Sequence, residues 1–164
     1  MKNIVRSALL LPFFAIYISS VCASDISPWG GADVLEIKYE PRKVLYDVTS
    51  GDKEDISNIL DRIGYLFKLY ESDTFDSSIV VVIHGDAVPF FAIEGMKKYS
   101  DIMRRAQSLT VGTSIEFRMC LAAAKVMNYA PKDIHGFVKM VPMADTEIIR
   151  LQKEGYQYIL GSTD

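Results

Sequence analysis

The chain has 164 residues, of which 49% are hydrophobic and 24% charged, with a formal net charge of −3; that size and make-up suit one domain. Its lysines and arginines are scattered rather than clustered, which leaves no electrostatic footprint for nucleic acid. Cys22 and Cys120 are its two cysteines, too few for a disulfide framework.

Lys2 and Arg6 precede an apolar run from Ala8 to Ile18 broken only by Pro12, and Ser19, Ser20, Val21, Cys22 and Ala23 follow it. This is the pattern of a signal peptide over residues 1–23, cleaved after Ala23. The run is short of the roughly 18 apolar residues expected of a spanning helix, and Val21 is a poor residue to precede a lipidated cysteine. Cleavage takes the 18 basic residues to 16 by removing Lys2 and Arg6, against 21 acidic ones, so the exported form carries −5. Periplasmic location is the expectation. Cys120 is then a lone thiol in an oxidising compartment, where thiols are usually paired or missing.

Residues 24–42, with Ser27, Pro28, Trp29, Gly30 and Gly31 and a partly alternating stretch from Val34 to Tyr39, read as an N-terminal arm holding at most a short edge strand. A domain over 43–164 follows. Lys43 to Val48 is a β-branched and aromatic strand closed by the turn residues Thr49, Ser50 and Gly51. Ile56, Ile59, Leu60, Ile63, Phe67 and Tyr70 then recur at helical spacing, behind Asp52, Glu54 and Asp55 at the favourable N-terminal end. Ile79 to Ile83 is unbroken β-branched sequence, which predicts a central strand covered on both faces.

Val88 to Ile93 is long and apolar for a loop; it reads either as a buried helix start or as an oligomer interface. A polar helix is expected from about Ser100 to Leu109, with Arg104, Arg105, Lys97 and Lys98 as a solvated face. Ser114 to Met119 alternates as a strand and leads into Cys120; Leu121 to Asn128 favours helix. Phe137 to Val141 is a further strand, Asp145 caps a helix over 146–154 that Gly155 ends, and Tyr156 to Leu160 is the last strand. Alternation of this kind predicts an α/β three-layer sandwich, with a mainly parallel sheet of about five strands and helices on both faces.

Sites in such sheets form outside the carboxyl ends of the strands, where Cys120, His84 and the turn at 49–51 all fall. Cys120 joins a strand to a helix start, whose free N–H groups favour the nucleophilic thiolate; a free cysteine is equally at home as a small buried hydrophobe. His84 ends the central strand, placed to take the thiol proton if its strand neighbours that of Cys120, or else to bond a nearby loop. Cys120, His84, Asp86 and His135 are zinc-ligand types without zinc spacing, so no metal is expected, and His135 reads as exposed. One glycine and three carboxylates at 51–55 argue against a nucleotide.

The segment Ile115 to Ala124, Ile-Glu-Phe-Arg-Met-Cys-Leu-Ala-Ala-Ala, resembles the stretch around the active cysteine of the DsrE/TusD sulfur-relay proteins. Val-Val-Val-Ile-His-Gly at 80–85 and Leu-Gln-Lys-Glu-Gly-Tyr at 151–156 extend the likeness to an exported branch of the DsrE/DsrF-like group. The resemblance implies a homo-oligomer, trimer or hexamer, with no cofactor, whose cysteine accepts sulfane sulfur from a donor as a persulfide and passes it to an acceptor protein or small thiol. Only Cys120 matches the family's functional position; His84 is proposed from its place in the chain. Export, and Lys125 to Tyr129 in place of the Arg-Gly that often follows the cysteine helix, set this chain apart from the cytoplasmic relay proteins. A non-catalytic oligomeric scaffold on the same fold is the alternative.

Overall fold

The computed structural model describes residues 30–161, so the signal-peptide reading of residues 1–23 lies outside the described residues. Of the described residues, 30–36 fall in one unit and 37–161 in another. The described stretch 30–42 carries no helix or strand, so the short edge strand allowed there is not formed.

Strand β1 (Lys43–Val48) leads into α1 (Lys53–Leu69), β2 (Ser78–Ile83), α2 (Met96–Thr110), β3 (Ile115–Cys120), α3 (Leu121–Val126), β4 (Val138–Val141), α4 (Ala144–Lys153) and β5 (Gln157–Leu160). The strands pair in parallel in the order β4-β3-β2-β1-β5. From β1 to β4 the chain steps in one direction across the sheet. It then returns past β3, β2 and β1 to add β5 at the far edge. Right-handed crossovers put the helices of opposite steps on opposite faces. Accordingly α1, α2 and α3 pack with Val44, Tyr46, Ile79, Val81, Phe117 and Met119 on one face, while α4 packs with Leu45, Val80 and Val82 on the other.

Local chemistry sets these elements. Asp52, in extended conformation, caps α1 by accepting from the Glu54 and Asp55 amides at 2.7 and 3.1 Å. The stripe Ile56, Ile59, Leu60, Ile63 and Phe67 is buried. At the centre, Ile79 to Ile83 are all buried, as an unbroken apolar strand requires.

Strand β3 differs: Ile115, Phe117 and Met119 enter the large core, whereas Glu116 and Arg118 point to the α4 face. There Arg118 bonds Glu116 and Glu147 at 2.7 and 2.5 Å, and Lys139 bonds Glu116 at 2.7 Å. One helix covers β1 and β2 on that face, and ion pairs cover β3 and β4.

Several sequence expectations need correcting. Val88 to Ala92 belongs to the core, mostly in a 3₁₀ segment at Gly85–Phe91, with Phe91 against Phe117 and Phe137; the apolar run faces inward instead of forming an interface. Helix α2 starts at Met96 and is kinked at Tyr99. Arg105 is no solvated side chain: it reaches Ser57 and Asp61 and ties α2 to α1. His135 is half-buried beside Phe137, with Nε2 enclosed and unpartnered, and burial lowers its basicity. Met143, not Asp145, holds the N-cap position of α4.

Candidate functional site

The connection after β3 goes to α3 on one face and the connection after β4 goes to α4 on the other. The carboxyl ends of these neighbouring strands therefore mark the topological switch point, the place where ligands bind in open α/β sheets. Cys120 is the last residue of β3, opposite Val141 of β4, and the Ala122 amide donates to Pro142 O at 3.3 Å across the gap. Its backbone stays extended (φ −66°, ψ 112°), so its side chain occupies the N-cap position of α3, and Sγ accepts from the Ala123 amide at 3.3 Å. Helix α3 has six residues where the sequence promised eight. So short a helix has a weak macrodipole, and the single N–H···S contact is what remains of the expected helix-start effect. Cys120 is 4% exposed and belongs to a buried cluster with Leu45, Val80, Val82, Ala144 and Leu151.

His84 follows the last residue of β2, in extended conformation, and Gly85 at φ +55° turns the chain away. An added Cβ on Gly85 would lie 3.6 Å from Thr49 O, but the left-handed backbone alone already favours glycine. Strands β2 and β3 are neighbours, so the condition set for His84 is met. Ile83 is level with Met119, which makes His84 level with Cys120 one step on. Adjacent strands lie about 4.8 Å apart. The two side chains are not hydrogen-bonded to each other among the described residues: His84 Nε2 is 2.7 Å from Asp47 Oδ1.

Asp47 was not singled out from the sequence. It is 9% exposed and shares its strand with Val44, Leu45, Tyr46 and Val48; one carboxylate among inward residues was the available signal, since buried charges need partners. Its second oxygen accepts from the Tyr158 hydroxyl at 2.6 Å. Burial pushes the Asp47 carboxyl up, but the bonds from His84 and Tyr158 outweigh it and hold the group below its ordinary range. Tyr158 is pushed up to about 12 by its bond to Asp47. The Asp47 bond raises His84 against the opposing effect of burial, and the charges of Asp47 and Asp145 add to the rise.

The remaining sequence candidates stay apart from this group. Asp86 is exposed in the 3₁₀ segment after His84, and His135 stacks near Phe137. Among the described residues, no group of three or more His, Cys, Asp or Glu side chains is placed to hold a metal ion. Asp52 spends its carboxylate on the α1 cap, and Ser50 donates to Asp55 at 2.7 Å.

The solved structure of MTH1491 from Methanobacterium thermoautotrophicum, a protein of unknown function, is similar to this chain with a TM-score of 0.57 and 18% identity. The match covers 73% of this chain and 98% of that one, and at such identity it speaks to the fold alone. No curated protein sequence matches the chain. A model of the DsrE/DsrF-like family matches residues 43–160. As that span takes in every strand from β1 to β5, the chain belongs to the DsrE/DsrF-like family.

Proposed function

We propose that this protein is an exported sulfur-handling protein that works in the periplasm after loss of residues 1–23, as a homo-oligomer. Family membership suggests a sulfur-relay role in general. The observation that carries the finer reading is Cys120 at the switch point between β3 and β4, level with a histidine that directly follows the neighbouring strand β2. Cys120 loses its proton to His84, and the thiolate attacks the outer sulfur of a sulfane donor. With thiosulfate the S–S bond of the donor breaks, sulfite leaves with the bonding pair, and Cys120 holds the sulfur as a persulfide anion. An acceptor thiolate then takes that sulfur and releases the Cys120 thiolate, with no net redox change and no cofactor.

Signal export is supported by the charged and apolar pattern at 2–18. Among the described residues no helix is long and apolar enough to cross a membrane. Exposed Ile149, Tyr158 and Leu160, on α4 and β5, offer apolar surface for self-association into a trimer or hexamer. Light scattering of the purified protein tests that assembly.

The direct test is intact mass after exposure to thiosulfate or polysulfide. A gain of one sulfur on Cys120, reversed by a small thiol and missing in Cys120→Ser, supports the reading; no gain with either donor sinks it. The burial of Cys120 favours a second reading, a scaffold that has kept the fold without the relay. Alkylation that is slow in the native protein and fast only after unfolding supports the scaffold.

A further inference from the structure

Four polar or reactive side chains occupy one face of the sheet towards its carboxyl end, on or directly after four consecutive strands. Tyr158 on β5 is level with Leu45, Asp47 lies two residues beyond Leu45, His84 two beyond Val82, and Cys120 shares the cluster of Leu45 and Val82. The strand order β5-β1-β2-β3 therefore reads, along this face, Tyr158, Asp47, His84, Cys120. The first three are joined by hydrogen bonds of 2.6 and 2.7 Å that occupy both oxygens of Asp47.

From this arrangement we infer that Asp47 is a positioning residue for His84, completing a Cys120–His84–Asp47 series in which Tyr158 anchors the carboxylate. The inference rests on the sulfur-handling reading for its purpose, though not for its geometry. A carboxylate on one ring nitrogen fixes the histidine's tautomer and orientation and leaves the other nitrogen as proton acceptor. Here Nε2–H donates to Asp47, so neutral His84 carries its lone pair on Nδ1. The two ring nitrogens project in different directions, and with Nε2 turned to β1 the free Nδ1 is turned away from it. A thiol proton passing from Sγ to Nδ1 leaves a thiolate and an imidazolium whose Nε2–H stays on Asp47. Bonds between a nucleophile and its base are often made only when substrate is present, so their separation here does not oppose the series.

Asp47 from β1 and Asp145 from the first turn of α4 act on His84, Tyr158 does so through Asp47, and Cys120 stands level with it at the end of β3. Exposed Asp86 follows it in the chain. Asp47 is the one in hydrogen-bond contact.

The test is the pH profile of Cys120 alkylation in the folded protein, combined with NMR titration of the His84 ring. In Asp47→Asn the His84 midpoint falls, and alkylation at neutral pH slows about tenfold, a modest value for a positioned acid–base group. His84→Gln slows it likewise, and the double variant is no slower than His84→Gln alone, because Asp47 acts through His84. Additive losses, or an unchanged alkylation profile in Asp47→Asn despite a lowered His84 midpoint, overturn the inference. Should Asp47→Asn not fold, the unaltered protein decides. Alkylating Cys120 shifts the His84 Nδ1 signal if the series exists, and an unmoved signal refutes it. None of these readouts needs a sulfur donor, so failure of Cys120 to take up sulfur remains a separate result.

Discussion

Helix α4 is the only helix on its face of the sheet among the described residues, and its Ala144 and Leu151 share a buried cluster with Leu45, Val80, Val82 and Cys120. Leu151 is fully buried and is the largest apolar group that α4 buries in this cluster. Leu151→Ala removes it with little prospect of collapse against a flat sheet, at a cost of about 3 kcal/mol. That loss falls on the docking of α4, because the opposite core is untouched. At about 1.4 kcal/mol per decade it raises the open fraction of α4 by about 100-fold. Alkylation of Cys120 under native conditions is therefore expected to accelerate by a similar factor. Ile63→Ala, a comparable deletion in the α1 core on the other face, serves as the control. It lowers global stability in urea by a similar amount while leaving α4 docked. Equal acceleration in both variants would mean that the thiol is reached only by global unfolding. A rate unchanged in Leu151→Ala, with the destabilisation confirmed, would mean that the reagent reaches Cys120 without displacing α4. Either outcome refutes access to Cys120 through undocking of α4.

Glu147 is held at about 2 by its bonds to Arg150 and Arg118, against the effect of burial. A carboxylate depressed in the folded state stabilises above its ordinary value of 4.5 and loses that contribution as pH falls through about 2. With Arg150 nearly half exposed and screened by water, Glu147→Gln is expected to cost about 2 kcal/mol at neutral pH. Urea denaturation should show the gap closing as pH drops below 4.5, and a constant gap down to pH 2 would count against the ion pairs. At Gly161 an added Cβ would stand 2.7 Å from Asp47 O and 2.8 Å from Val48 Cγ2. Gly161→Ala should cost about 1–3 kcal/mol through overpacking and loosen the end of β5. The Tyr158 hydroxyl then titrates below its present value of about 12, which ultraviolet absorbance of tyrosinate would report.

What the sequence discloses about this fold depends on how local the cause is. The α1 stripe and the run at Ile79 to Ile83 announce themselves by period and length, and the α/β class follows from their alternation. The alternation of β3 was equally visible and marks a strand whose α4 face is lined by ion pairs instead of apolar side chains. Less local causes were hidden. Val88 to Ala92 turns inward because a 3₁₀ path around Pro89 packs it under α2 and α3, which periodicity does not encode. Arg105 finds Ser57 and Asp61 only once α1 and α2 are side by side. For the site, Cys120 and His84 were legible as strand-end residues. Asp47 carried a signal in its strand that went unused, and Tyr158 carried none, being 111 residues from the carboxylate it anchors.

One topological event accounts for both halves of the site. If the chain had continued past β4 in the same direction, β5 would lie beyond β4, Asp47 would sit on an edge strand without Tyr158, and no switch point would fall beside Cys120. Reversal after β4 sends α4 to the opposite face, which parts the connections at Cys120, and carries β5 back to β1, which delivers Tyr158 to Asp47. The same reversal leaves that face with a single helix among the described residues and a cluster of six buried side chains, against twenty-six on the other face. The thiol thus lies under the less heavily packed layer of the molecule. A cysteine buried in that layer is compatible with reaction in a way that one beneath α1 would not be, since local opening draws on the least stabilised contacts first.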